Sequence, residues 1–229
     1  MMKGWIGVDL DGTLVQYDDR RGTEVIGSVC EAMLRRVRSW RAAGIEVRLL
    51  TARATDPVLE SFLRPWLREH NLQDLPVTNR KDLSLMQIWD DRAVQVGFNT
   101  AAVLTPKQYV PFVPSGWLGI ELDGTLAQAL EHQPLACIGE PVALMVNRVR
   151  QWQMVGIDVR LFTARASEPA QLPLIERWLA AQGLQMPVTC EKDFQMSAFY
   201  DAWAVHVIHN SGEPSVEPEL PALRYQLNG

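Results

Sequence analysis

The chain has 229 residues, 47% apolar and 21% charged, an ordinary globular mixture long enough for two small domains or one large one. Its net charge of −5 gives no general attraction for nucleic acid or anionic membranes. No run approaches the roughly 18 apolar residues of a membrane span, and three widely spaced cysteines without a Cys-x-x-Cys pair argue against a disulfide framework or zinc site and for a reducing cytoplasm. The opening residues carry one Lys before Asp9 and no apolar leader, so a chain without a signal peptide is expected.

In chain order, Trp5–Val8 reads as a short buried strand leading to a Gly turn. Val29, Met33, Val37 and Trp40 recur at helical spacing, with Gly44 as a stop signal. Val47–Leu50 is a second strand, and Leu59, Phe62, Leu63, Trp66 and Leu67 mark a second helix in which Pro65 predicts a kink or break. Pro76–Thr78, Met86–Trp89 and Val94–Val96 add short strand-like segments. Strands alternating with helices predict a mostly parallel sheet covered on both faces.

The text then repeats. GWIGVDLDGTL from Gly4 returns as GWLGIELDGTL from Gly116, and EVRLLTARATDP from Glu46 returns as DVRLFTARASEP from Asp158. LPVTNRKD from Leu75 and IWDDRAVQV from Ile88 return as MPVTCEKD from Met186 and FYDAWAVHV from Phe199. A long period with several blocks in one order indicates a duplicated domain. The expected organisation is a first domain over 1–112, a second over 113–212, and a disordered Pro- and Glu-rich tail over 213–229, with a Pro-containing linker at Thr105–Ser115. The two copies are expected to pack as a pseudo-symmetric pair. Residues 1–112 hold 15 Lys and Arg against 14 Asp and Glu, the rest 7 against 13. Much of the basic excess, Arg35, Arg36, Arg38 and Arg41, reads as a solvated helix face.

The chemistry concentrates in VDLDGT. Strand alternation puts Asp9 and Asp11 on one side, with Leu10 turned away, and Gly12 permits a sharp turn whose N–H groups form an anion nest. Two carboxylates at a strand's carboxyl end suit phosphoryl transfer, one as nucleophile and one as proton donor. Lys81 is expected to supply a cation, Asp90 with Asp9 to hold a Mg²⁺, and Thr51 to offer its hydroxyl and N–H to the phosphate.

The ordered set of DxDGT, strand-Thr, Lys-Asp and apolar-strand-Asp-Asp resembles the haloacid-dehalogenase superfamily of phosphohydrolases, in its small capless form, over nearly all of both copies. The resemblance implies two tandem Rossmann-like α/β domains of three layers, without a cap. It also implies a phosphoaspartyl intermediate at Asp9, acid/base work at Asp11, and phosphate binding by Thr51 and Lys81. Asp9, the Asp11 carbonyl, Asp90 and Asp91 would be the Mg²⁺ ligands. A capless site goes with bulky or macromolecular phosphoesters unless the second copy covers it. WDDR at Trp89–Arg92 is also similar to the 3′-phosphatase domain of polynucleotide kinase-phosphatases.

The second copy keeps Asp123, Thr163, Lys192 and Asp201 but has Glu121 for the nucleophile and Ala202 for Asp91. A carboxylate pushed forward by about an ångström can cost about 10²-fold in rate, and with Ala202 this copy is expected to be a pseudoenzyme. His206 and His209, three apart in a strand-like run, are expected to be structural rather than a metal pair. A non-catalytic phospho-ligand-binding module on the same fold is the competing reading.

Overall fold

A computed structural model describes residues 4–110, 115–129 and 134–218. The first half supplies β1 (Trp5–Val8), α1 (Glu31–Ala42), β2 (Glu46–Leu50), α2 (Pro57–Glu69), β3 (Val77–Thr78), β4 (Leu85–Asp90) and β5 (Ala93–Gln95). The second supplies β6 (Trp117–Ile120), α3 (Ala143–Met154), β7 (Asp158–Phe162), α4 (Leu172–Ala181), β8 (Val188–Thr189), β9 (Met196–Asp201) and β10 (Ala204–His206). These strands form two five-stranded sheets, ordered β10-β4-β1-β2-β3 and β5-β9-β6-β7-β8, with every strand pair parallel.

Each sheet therefore takes its outermost strand from the other half. The cause is a short link: only Asp91 and Arg92 separate β4 from β5, and only Ala202 and Trp203 separate β9 from β10. A parallel neighbour in the same sheet needs a crossover of about a dozen residues, and the chain does not turn back as a two-residue antiparallel hairpin; β5 and β10 run on to pair in parallel in the opposite sheet. A boundary at 112/113 consequently does not divide the sheets.

The layering also departs from two three-layer domains. Ile6, Val8, Val47 and Leu49 share one core cluster with Met33, Leu34 and Val37 of α1 and Leu63, Trp66 and Leu67 of α2, so both helices cover one face of the first sheet. The opposite face, through Trp5, Leu50, Leu85 and Ile88, packs in one cluster with Trp117, Phe162, Met196 and Phe199 of the second half. The order of layers is helices, sheet, sheet, helices. Gly7 and Gly119 stand on the facing surfaces, and a Cβ on Gly119 would lie 2.9 Å from Phe199 Cβ and 3.1 Å from Phe162 Cβ.

Pro65 does not break α2, which runs continuously across it. Proline removes one main-chain hydrogen bond, and burial of Leu63, Trp66 and Leu67 on either side holds both turns to the sheet. The basic residues of α1 are partly engaged: Arg36 lies 4.8 Å over the Trp89 ring and pairs with Glu213 and Glu217, while Arg41 pairs with Asp74. Glu213 and Glu217 belong to the tail, whose residues 213–218 are described; 219–229 lie outside the described residues. Among the described residues, no helix is long and apolar enough to cross a membrane.

Candidate active site

β1 delivers Asp9 to its carboxyl end, where the side chain is buried, and Leu10 turns into the core as alternation requires. The turn that follows closes on itself. Gly12 N–H donates to Val15 O at 2.8 Å and Thr13 N–H to Leu10 O at 3.3 Å, so these two groups are not the expected anion nest. Among the described residues, no group accepts from the Leu10 N–H, which leaves that donor beside Asp9. Gly12 has φ +84°, and a Cβ there would lie 2.4 Å from Asp91 Oδ2 and 2.6 Å from His209 Nδ1. Only glycine satisfies both conditions.

β4 delivers Asp90, buried, and the link after it delivers Asp91. Asp90 Oδ1 accepts from Arg92 N–H at 2.8 Å, and Asp91 N–H donates to Thr13 Oγ1 at 3.0 Å, which fixes both acids. Asp9, Asp90 and Asp91 each offer a carboxylate oxygen within 4.8 Å of one another.

Lys81 does not reach this cluster. Its Nζ donates to Glu121 Oε2 at 2.5 Å, Asp201 Oδ2 at 2.9 Å and Phe162 O at 3.0 Å, all in the second half. The lysine at the first cluster is Lys192, which donates to Asp9 Oδ1 at 2.7 Å and Asp90 Oδ2 at 2.5 Å. The two Lys-Asp segments cross: Lys81 N–H bonds Cys190 O, Lys192 N–H bonds Asn79 O, and Arg80 pairs with Glu191. Burial opposes the charge on Lys192, but Asp9 and Asp90 outweigh it and push its pKa up. Burial likewise raises Asp9, against the pull of Lys192 and helped by Asp90, Asp91 and Asp11.

Three carboxylates set against the Lys192 ammonium and the nearby Arg92 guanidinium leave one negative charge in excess while the His209 ring is neutral. Asp91 Oδ1 is buried and has no hydrogen-bond partner. A divalent cation fits both facts, because it neutralises the excess and uses the orphaned oxygen.

Asp11 stands apart from this trio, since Arg53 holds it in a fork: Nε to Oδ2 and Nη2 to Oδ1, both 2.7 Å. Arg53 is fully buried and is anchored further by Thr23 O and Val25 O. Arg165 makes the same fork to Asp123 at 2.7 and 2.9 Å. Neither arginine is among the site residues expected from the sequence. The signal was there, in the TAR that follows both strand threonines. Thr51 is buried beside the cluster, but its N–H is spent on Thr78 O at 2.9 Å and only its hydroxyl remains near the site. That hydroxyl accepts from Arg53 N–H at 3.3 Å.

The second half also walls the site. Asn210 N–H donates to Gly12 O at 2.7 Å, and the Asn210 side chain both accepts from Tyr17 N–H and donates to Tyr17 O. His209 Nδ1 lies 2.6 Å from Asp91 Oδ2, at the edge of the acidic cluster, and this hydrogen bond raises its pKa. His206 is buried and stacked on Tyr109 at 5.4 Å between centroids. A cavity of about 740 Å³ opens over Asp11, Asp91, Arg92 and Tyr17, with His209 and Asn210 on its wall. A smaller one of about 20 Å³ lies deeper, between Asp9, Thr51 and Lys192.

The second cluster is closed at each equivalent point. The longer Glu121 side chain curls so that Oε1 accepts from the Leu122 N–H at 3.0 Å, the donor left unspent at Leu10. Ala202 offers no ligand in place of Asp91. Trp203 Nε1 donates to Asp123 O at 3.3 Å, and Phe98, packed edge-on to Trp203 at 5.0 Å between centroids, lies against Gly124. Phe98 holds the place that His209 holds over the first site.

Comparison with family models, curated proteins and solved structures found no match to this chain.

Proposed function

We propose that the chain is a Mg²⁺-dependent phosphomonoester hydrolase of haloacid-dehalogenase type, a tandem duplication in which only the first half carries out chemistry. The observation that carries this reading is the buried Asp9 carboxylate at the end of β1, within 4.8 Å of Asp90 and Asp91 and next to an unspent Leu10 N–H. Asp9, Asp90 and Asp91 would hold the Mg²⁺, which offsets phosphate charge so that an anionic carboxylate can approach.

An Asp9 oxygen forms the bond to phosphorus as the ester oxygen leaves, giving a phosphoaspartyl group. Water then attacks that phosphorus, releasing phosphate and restoring Asp9. Both Asp11 oxygens accept from Arg53, so one of those bonds gives way before Asp11 takes the proton of the attacking water. Donating a proton to the leaving oxygen requires the fork to open first. The Leu10 N–H and the Thr51 hydroxyl are placed to donate to phosphate oxygens. The substrate class that fits the polar cavity lined by Tyr17, Arg20, Arg92 and Asn210 is a phosphorylated small molecule or an exposed phosphoester.

The test is turnover of p-nitrophenyl phosphate with Mg²⁺ and with EDTA. Activity that needs the metal and disappears in Asp9→Asn supports the reading; turnover surviving both treatments defeats it. The second reading, a non-catalytic phospho-ligand module, draws on the Asp11–Arg53 fork and predicts phosphate binding without turnover.

A further inference from the structure

We infer that the second half is a working part of the first site, because it supplies Lys192 as the cation that binds the phosphoryl group being transferred. The inference rests on the phosphohydrolase reading above.

Position supports it first. Lys192 comes from beyond the opposite sheet yet contacts Asp9 and Asp90 directly, and the surrounding main chain is clamped on both sides. Asn79 accepts from Lys192 N–H at 2.7 Å and its Nδ2 donates to Lys192 O at 3.2 Å. Such fastening holds the ammonium where a mobile surface lysine would not stay.

The contrast with Lys81 is the second support. Lys81 spends its three donors on Glu121, Asp201 and Phe162 O, and it is fully enclosed. Lys192 has two protein acceptors among the described residues and lines the small cavity with Asp9, Thr51 and Phe194. An ammonium with three protons and two acceptors keeps one donor for a ligand. Two lysines in matching text are thus in different states, one saturated and one with a donor to give.

The chemistry balances without consuming that proton. Asp9 forms the new O–P bond while the ester O–P bond breaks, and Lys192 stays protonated, its charge moving from Asp9 toward the phosphoryl oxygens. Glu121 and Asp201 keep Lys81 occupied, so the first half's own lysine is no substitute for Lys192.

Lys192→Met separates this role from packing because metal and phosphate respond in opposite directions. Titrated with Mg²⁺ alone, the variant should bind at least about tenfold more tightly than wild type, since three carboxylates lose their ammonium. Inorganic phosphate added with Mg²⁺ should bind at least about tenfold more weakly, and turnover should fall by about 10²–10³. The double variant Lys81→Met/Glu121→Gln removes one charge of each sign from the second cluster. It should leave all three quantities within about threefold of wild type at temperatures below its own melting point. Lys192→Met with wild-type phosphate affinity, or the double variant reproducing the Lys192→Met pattern, overturns the inference. If Lys192→Met does not fold, Lys192→Arg decides: Mg²⁺ affinity near wild type with phosphate binding weakened about tenfold supports it, because a displaced charge no longer fits, and unchanged phosphate binding overturns it. A wild-type protein that hydrolyses no phosphoester would defeat the proposed function, while the Mg²⁺ and phosphate titrations still decide what Lys192 does.

Discussion

Replacing Arg53 by Met would leave the Asp11 carboxylate facing a buried apolar side chain where two charge-assisted bonds stood. Breaking a buried pair from one side costs about 3–5 kcal/mol, and urea unfolding should register a loss of that order. Arg53→Lys should recover only part of it, because an ammonium cannot reproduce the fork. At Glu121 the expected outcome differs from simple repair. Glu121→Asp would withdraw the carboxylate from Leu122 N–H and lengthen its contact with Lys81, costing about 1–3 kcal/mol. In an Asp9→Asn background it should restore no turnover, since Ala202, Trp203 and Phe98 still close that cluster. Measurable Mg²⁺-dependent hydrolysis in that double variant would show that the length of Glu121 was the only defect.

At the scale of elements, β5 and β10 decide what a half of this chain can do alone. Residues 1–112 lack β10, so β4 presents an unpaired edge, and β5 has no sheet to join. Exposed edges pair with whatever matches them. A second copy matches well: its β5 can take the place of β10, and its Lys81 can take the place of Lys192, because the exchanged segments carry similar text. The expected product is therefore an exchanged homodimer, readable as twice the monomer mass by light scattering after gel filtration. A stably folded monomer of 1–112 would mean that the first half folds without an exchanged strand.

For the whole molecule, the facing surfaces of the two sheets are where both halves depend on each other. Gly119→Ala places a Cβ within 2.9 Å of Phe199 Cβ and 3.1 Å of Phe162 Cβ, atoms close to the main chain that cannot swing away. Overpacking of this kind costs about 1–3 kcal/mol. Because one cluster draws on both sheets, thermal unfolding should remain a single transition shifted downward rather than splitting into two. Separate melting of the halves would mean that the shared cluster and exchanged strands contribute little.

The sequence by itself determined the local structure: short apolar runs became β1, β2 and β4, helical spacing became α1 and α2, and alternation set Asp9 and Asp11 against Leu10. It also placed Asp9, Asp90 and Asp91 at strand carboxyl ends, because strand order and turn glycines are written within a few residues. What it left undecided was partnership. Lys81 and Lys192 stand in nearly the same words, as do β5 and β10, so text alone fits either half to either cluster. The choice falls to chain geometry: two residues after β4 and after β9 are too few for a parallel return, and the chain does not turn back as an antiparallel hairpin; the strands go forward into the opposite sheets. The lysine segments, paired antiparallel across the same junction, cross with them. Only the closed tertiary structure puts the second half's ammonium beside the first half's acids.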